Sequence, residues 1–235
     1  MKFAIIAAGE GSRLQQEGIE LPKPLVKVGG EAMIDRLIRI FRANSADEIV
    51  IIVNKIHPQT ARHFAELREQ GKASDIRLVE KTTPSSMHSF FELKGYLEGS
   101  DFCLTTVDTI FREEEFAAYI REFQSSSLDG LMAVTDFVDD EKPLYVGTDS
   151  SLRITGFHDE NQGDRFISGG IYALRPPSLA TLARCMREGR SRMRNFQRAL
   201  VEDGLSLKAY PFSKILDVDH AGDIAKAEAF LRHRI

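Results

Sequence analysis

The chain has 235 residues, 43% of them hydrophobic, enough to bury the core of one large domain. Its 31 lysines and arginines against 35 aspartates and glutamates leave a formal charge of −4, which argues against a general nucleic-acid binder, and no apolar run reaches the roughly 18 residues that a membrane-spanning helix needs. Cys103 and Cys185 are too few and too far apart for a disulfide framework or a zinc site and read as buried thiols; the N-terminus runs straight into a strand without a signal pattern, so the expected setting is the cytoplasm.

The first predicted strand, Lys2 to Ala8, runs into Ala7-Ala8-Gly9-Glu10-Gly11-Ser12-Arg13-Leu14, and Pro22-Lys23-Pro24-Leu25 follows. Glycine N–H groups free of side chains, with an Arg and a Lys behind them, make a cradle for a polyphosphate. Two familiar phosphate motifs do not fit. A dinucleotide fingerprint needs a small residue where Leu14 stands, and a P-loop needs Gly-Lys-Ser/Thr at the end of the loop.

Apolar strands and amphipathic helices then alternate. A helix is predicted near Glu31 to Ala43, a strand over Glu48 to Val53, a helix near Gln59 to Gln70 and a strand over Asp75 to Glu80. Another helix follows near Ser86 to Leu97, then a strand over Asp101 to Val107 and a helix near Glu113 to Phe123. This order predicts an α/β fold: βαβ units around a mainly parallel, mixed and twisted sheet, with helices on both faces. Leu131 to Phe137, Leu144 to Val146 and Leu152 to Phe157 are spaced as antiparallel strands. Phe166 to Leu174 and Ser206 to Pro211 read as further strands, with helices inside Ser178 to Glu202 between them and a last helix over Ala221 to Arg232. The expected organisation is a single domain over 1–235, its nucleotide-binding part in about 1–110 and its acceptor-binding part, with a small antiparallel region, in about 111–235. Arg184, Arg187, Arg190, Arg192, Arg194 and Arg198 crowd one stretch with Phe196 as their only aromatic neighbour, which favours a solvated charged face over a nucleic-acid surface.

Open α/β sheets bind ligands beyond the carboxyl ends of their strands, where Gly9, Gly11, Arg13 and Asp108 stand. Asp108 closes an apolar strand and suits either a hard cation such as Mg²⁺ or a helix N-cap. A cation held by one carboxylate would be loosely placed, so a second acid is expected; alternation puts Asp217 and Asp219 on one face of an extended segment. Asp223 fits the first turn of the last helix.

Taken in order, Ala7 to Leu14, Pro22 to Gly30, Thr105-Thr106-Val107-Asp108, Ile167-Ser168-Gly169-Gly170-Ile171-Tyr172 and Asp217 to Asp223 resemble the nucleotidyltransferases that join a nucleoside triphosphate to a sugar phosphate or similar phosphomonoester. The resemblance spans almost the whole chain. It implies a nucleotide-diphospho-sugar transferase-like fold, Mg²⁺ as cofactor, and as partners a nucleoside triphosphate and a phosphorylated small molecule, a sugar phosphate foremost. It also implies in-line attack of the acceptor phosphate on the α-phosphorus, with pyrophosphate leaving. Ala7 and Ala8 at the strand end would meet the nucleotide, and the N–H groups of Gly9, Glu10, Gly11 and Ser12 would hold its β and γ phosphates. Arg13 would stabilise the departing pyrophosphate and Lys23 would balance charge on the α-phosphate. Asp108 would hold the metal with Asp217, preferred, or Asp219, while Lys27 would be structural or solvated.

Two departures from the family pattern leave both substrates open. Thr83-Pro84-Ser85-Ser86-Met87-His88-Ser89 replaces the Leu-Gly-Thr-Ala of sugar-nucleotide enzymes and resembles phosphocholine-type cytidylyltransferases; Ser86 is expected at the nucleotide, and His88 either stacks on its base or is an exposed residue of the helix start. Gly156-Phe157-His158-Asp159-Glu160 stands where Glu-Lys-Pro is usual, so the acceptor-phosphate lysine is missing, with Arg165 or an arginine of 184–198 as a substitute. Gly169 and Gly170 either let an acceptor ring approach the backbone or serve the fold. The leading expectation is a sugar 1-phosphate nucleotidyltransferase. Behind it stand a cytidylyltransferase for phosphocholine or a polyol phosphate, and a non-catalytic nucleotide-binding regulator. Transfer to a molybdenum cofactor and glycosyl transfer, which would need Asp-x-Asp at Asp108, rank lower.

Overall fold

Phe3, Ile5 and Ala7 pack into one core, Ala4, Ile6 and Ala8 into another, and all six are buried. Period-two alternation with both faces covered makes β1 (Lys2–Ala7) the middle of a sandwiched sheet. The computed structural model describes residues 1–139 and 142–232. After β1 come α1 (Ser12–Gln16), the short ribbon of β2 (Lys27–Val28) and β3 (Glu31–Ala32), α2 (Met33–Ala43), β4 (Ile49–Val53), α3 (Pro58–Glu69), β5 (Ile76–Glu80), α4 (Ser86–Leu97) and β6 (Phe102–Thr106). The second half runs β7 (Thr109–Ile110), α5 (Glu113–Ser125), β8 (Gly130–Thr135), β9 (Tyr145–Thr148), β10 (Ile154–His158), β11 (Phe166–Leu174), α6 (Ser178–Arg187), α7 (Met193–Glu202), β12 (Leu207–Pro211), β13 (Leu216–Asp217) and α8 (Ala221–Arg232).

The α/β sheet is mixed, in the order β10-β9-β11-β6-β1-β4-β5, with β8 on the free side of β11 and β12 beside β8. Strands β6, β1, β4 and β5 run parallel, while β11 runs antiparallel to β6, β8 and β9. From β1 the chain moves outward to β4 and β5 and returns to place β6 on the other flank. That reversal opens a crevice at the carboxyl ends of β1 and β6, and Val107 N–H donates to the Ile6 carbonyl there at 3.0 Å. Phe41 and Phe116 cover one face of the sheet; Phe90, Leu182 and Phe196 cover the other.

The strands expected at Leu131 to Phe137 and Leu144 to Val146 do not pair with each other, because both add to β11. Its first residues, Phe166 and Ile167, pair with β9 and its last, Ile171 to Leu174, with β6. A register shift between Ser168 and Tyr172 makes this exchange, and Gly170 sits inside it at φ +73°, a conformation that glycine adopts without a steric cost. The five-residue α1 and the two-residue β7 and β13 lie below the length at which periodicity is visible in a sequence. Among the described residues no helix is long and apolar enough to cross a membrane.

Candidate active site

The loop after β1 turns at Gly11, φ +67°, straight into α1. A Cβ at Gly11 would stand 3.2 Å from the Lys23 Cβ, so the glycine lets the Lys23 backbone close over the loop. A buried contact holds this loop to the sheet: Asn54, 3% exposed, donates to the Ala8 carbonyl at 3.0 Å and is itself held by Thr82 Oγ1, which donates to its Oδ1 at 2.6 Å. The His57 ring meets the Glu10 carbonyl at 3.1 Å. Asn54 is the first residue after a buried strand, the rule that singled out Asp108, so the same reading would have found it.

Pairing of β13 with β7 sets Asp217 against Thr109, and Val218 N–H donates to the Asp108 carbonyl at 3.1 Å. This short ribbon carries the C-terminal acids to the crevice. Lys23 Nζ then lies 2.5 Å from Asp108 Oδ2 and 2.7 Å from Asp219 Oδ1, and Arg13 Nη1 lies 3.0 Å from Asp219 Oδ2. Asp223 accepts from the N–H groups of Asp219 and His220, which fixes the turn before α8 and agrees with its expected first-turn place. On the far side Glu17 clasps the same turn, its carboxylate 2.6 Å from both His220 Nδ1 and the Ala221 nitrogen. Glu17 carried no sequence signal, since its partners lie some 200 positions away.

Burial works against a charged Lys23, but Asp108 and Asp219 outweigh it and lift the ammonium above its ordinary range. Burial likewise opposes an ionised Asp108, and the Lys23 charge and hydrogen bond overcome it, holding the carboxyl below the usual carboxylate range. Among the described residues Asp108 Oδ1 is buried without a hydrogen-bond partner. A buried acceptor in that condition is costly, by about 1–3 kcal/mol, unless an incoming group satisfies it.

This ion-paired cluster lies at the seam of two cavities. One, of 490 Å³, is lined by Ala7 to Ser12, Lys23, Ser86, Ser89 and Asp108; the other, of 380 Å³, by Arg13, Ser168, Gly169, Asp217, Asp219 and Lys226 among others. The structure thus brings Ala7, Ala8, Gly9, Glu10, Gly11, Ser12, Lys23 and Ser86 together on one side and Arg13, Gly169, Asp217 and Asp219 on the other. The alternation argument put both late aspartates on one face, and both line the second cavity, yet it is Asp219 rather than the preferred Asp217 that joins Lys23 and Arg13.

Three expected residues stand elsewhere, the first being Gly170, which lines neither cavity and sits in the bulge of β11. His88 turns its Nδ1 onto Ser85 Oγ at 2.8 Å and does not line the first cavity. Arg165 lies 3.3 Å from Asp136 and over the Phe166 ring, largely exposed and away from the second cavity, whose cations are Arg13, Lys142 and Lys226. Within 184–198, Arg184 and Arg190 pair with Glu188 and Glu202, while Arg194 and Arg198 pair with Asp159, consistent with a charged outer face. The two glycines have reasons in the fold: Gly170 makes the bulge, and a Cβ on Gly169 would fall 2.2 Å from Ile215 Cδ1.

Residues 3–199 match the model of the MobA-like NTP transferase domain family. A bifunctional IPC transferase and DIPP synthase of Aquifex aeolicus is 29% identical over 64% of this chain and 32% of its own length. An N-acetylmuramate alpha-1-phosphate uridylyltransferase of Caulobacter vibrioides is 28% identical over 70% of the chain and 63% of its own length. The chain therefore spans about a third of the first relative and less than two thirds of the second. The structure of the inositol-1-phosphate CTP transferase from T. maritima shares the fold, with a TM-score of 0.80 at 17% identity over 100% of this chain and 97% of that one. With more than half of its length inside the family's model, this chain belongs to the MobA-like NTP transferase domain family.

Proposed function

We propose that the protein transfers a nucleoside monophosphate from a nucleoside triphosphate to the phosphate of a small acceptor, a sugar 1-phosphate foremost, and releases pyrophosphate. The observation that carries this reading is the Arg13–Asp219–Lys23–Asp108 cluster at the seam of two cavities, because the bond being made lies where the two substrates meet. A phosphate monoester is already an anionic nucleophile near neutral pH, so no protein nucleophile is needed and catalysis rests on alignment and charge. The backbone of Gly9 to Ser12 receives the β and γ phosphates. Lys23, released from its carboxylates, meets the α-phosphate, and Arg13 meets the departing pyrophosphate.

Arg13 and Lys23 carry two positive charges and Asp108 and Asp219 two negative, so the cluster is neutral before substrate arrives. The charge of a triphosphate is then uncompensated unless a divalent cation accompanies it. The unpartnered Asp108 Oδ1 and the facing Asp219 are the hard oxygen donors that Mg²⁺ takes, with substrate phosphate oxygens completing the set. Mg²⁺ held there would supply charge neutralisation at the phosphates.

The relatives named for inositol 1-phosphate and N-acetylmuramate 1-phosphate support a ring phosphate as acceptor. Pyrophosphate release measured with four nucleoside triphosphates against hexose 1-phosphates, amino-sugar phosphates, inositol 1-phosphate and phosphocholine tests the reading. Release with one pair and dependence on Mg²⁺ is the expected result. No release with any pair would favour a nucleotide-binding regulator.

A further inference from the structure

Gln197 sits on the apolar face of α7, at the spacing set by Met193 and Leu200, and is 2% exposed. A buried carboxamide is costly unless hydrogen-bonded, and Gln197 has two partners beneath the second cavity. Ser168 Oγ donates to Gln197 Oε1 at 2.8 Å, and Gln197 Nε2 donates to the Tyr172 hydroxyl at 3.4 Å. A serine hydroxyl has one proton and two lone pairs. With its proton committed to Gln197, Ser168 offers only lone pairs to the cavity it lines.

We infer that Ser168, locked by Gln197, is a specificity-determining hydrogen-bond acceptor that reads a hydroxyl donor on the acceptor substrate, with Gln197 as its positioning residue. This rests on the proposed transfer reaction and deepens it. The Asp217 carboxylate lines the same cavity and adds a second surface that accepts and does not donate. Burial pushes the titration of the neighbouring Tyr172 hydroxyl upward, a hydrogen bond with Ser168 opposes that, and the Asp217 charge adds to the rise, so one Ser168 lone pair faces Tyr172 and the other the cavity. A quaternary ammonium such as choline has no donor for Ser168 and is recognised instead by open aromatic faces. Phe137 lines this cavity, and Lys214 Nζ already lies 3.8 Å from the centre of its ring. The geometry therefore favours a hydroxylated ring phosphate over phosphocholine.

The test compares the full chain with Ser168→Ala, Ser168→Thr and Gln197→Leu, with thermal melts confirming that each variant folds. Steady-state rates and calorimetric binding are measured with glucose 1-phosphate, inositol 1-phosphate and phosphocholine. Loss of one neutral hydrogen bond predicts about a tenfold rise in KM and Kd for the hydroxylated acceptor in Ser168→Ala. The KM for the triphosphate should stay within about twofold, since that substrate occupies the other cavity. Gln197→Leu should reproduce the loss without touching ligand, and Ser168→Thr should keep most of the affinity. A deoxy analogue lacking the hydroxyl concerned should bind wild type and Ser168→Ala alike. Unchanged acceptor affinity in Ser168→Ala, equal loss for the triphosphate, or tighter binding of phosphocholine than of either ring phosphate would overturn the inference while pyrophosphate release still upholds the reaction. Binding without turnover would leave the inference standing and sink the reaction.

Discussion

The cavity beyond β1 is lined largely by a glycine-rich turn and short side chains, Gly9, Gly11, Ser12, Ser86 and Ser89 among them, together with Glu10, Lys23 and Asp108, whereas the cavity beside the first residues of β11 carries more charged side chains, Arg13, Lys142, Asp217, Asp219 and Lys226 among them. Backbone N–H groups recognise a feature shared by all triphosphates and are set by one contiguous turn. Charged side chains can distinguish one acceptor from another and are gathered here from separate segments: Arg13 from α1, Asp139 and Lys142 from between β8 and β9, and Asp217, Asp219, Asp223 and Lys226 from the C-terminal stretch. On the proposed reading one side would receive a common group and the other a particular molecule, with Lys23 and Asp219 between them.

The largest expected effect is at that boundary. Lys23→Ala removes the charge assigned to the α-phosphate and should lower kcat by about 10²–10³ while the KM for the triphosphate changes little. A raised KM with intact kcat would instead make Lys23 a ground-state binder and place it wholly on the nucleotide side. Next comes the choice between the late aspartates. Asp219→Asn loses a charged partner of both Lys23 and Arg13 and should cost about 10- to 100-fold in kcat/KM, with a higher Mg²⁺ requirement. Asp217→Asn should leave the Mg²⁺ requirement unchanged and raise the acceptor KM alone, and the reverse pattern would move the metal site to Asp217.

The contrast between the cavities also explains what was legible beforehand. Gly9, Gly11, Arg13 and Lys23 lie within one short stretch, so local spacing singles out the turn proposed to hold phosphates before any tertiary contact is known. Strand β4 is a continuous apolar run, and β1 and β6 are largely apolar, because both faces are buried, and their alternation with helices points to the sheet. Alternation assigns Asp217 and Asp219 to one face and cannot separate them, whereas the pairing of Asp219 with Lys23 and Arg13 depends on the β7–β13 ribbon and the Asp223 turn, which are too short to leave a pattern. For His88 local sequence leaves a choice between a base and an exposed place at the helix start, and Ser85, three residues earlier, holds its ring. Gln197 was missed although a polar residue on an otherwise apolar helix face is a readable signal.

The two cavities can be separated with a methyl group placed on each. In Gly11→Ala the new Cβ meets the Lys23 Cβ at 3.2 Å, and the left-handed backbone, φ +67°, costs about 1–2 kcal/mol for a residue with a side chain. The displaced atom belongs to Lys23, so kcat should fall along with stability. In Gly169→Ala the Cβ would overlap Ile215 Cδ1 at 2.2 Å and press on the Ala133 carbonyl at 3.2 Å, so Ile215 must turn away. Overpacking of that kind costs about 1–3 kcal/mol, or roughly 2–4 °C in Tm per kcal/mol for a chain of this size. Ile215 and Leu216 line the acceptor-side cavity, so the acceptor KM should rise while the triphosphate KM does not. Thermal melts and two-substrate kinetics on both variants distinguish the outcomes. If both substitutions raised the same KM, the cleft would act as one site rather than two, and the division of labour drawn between its sides would be lost.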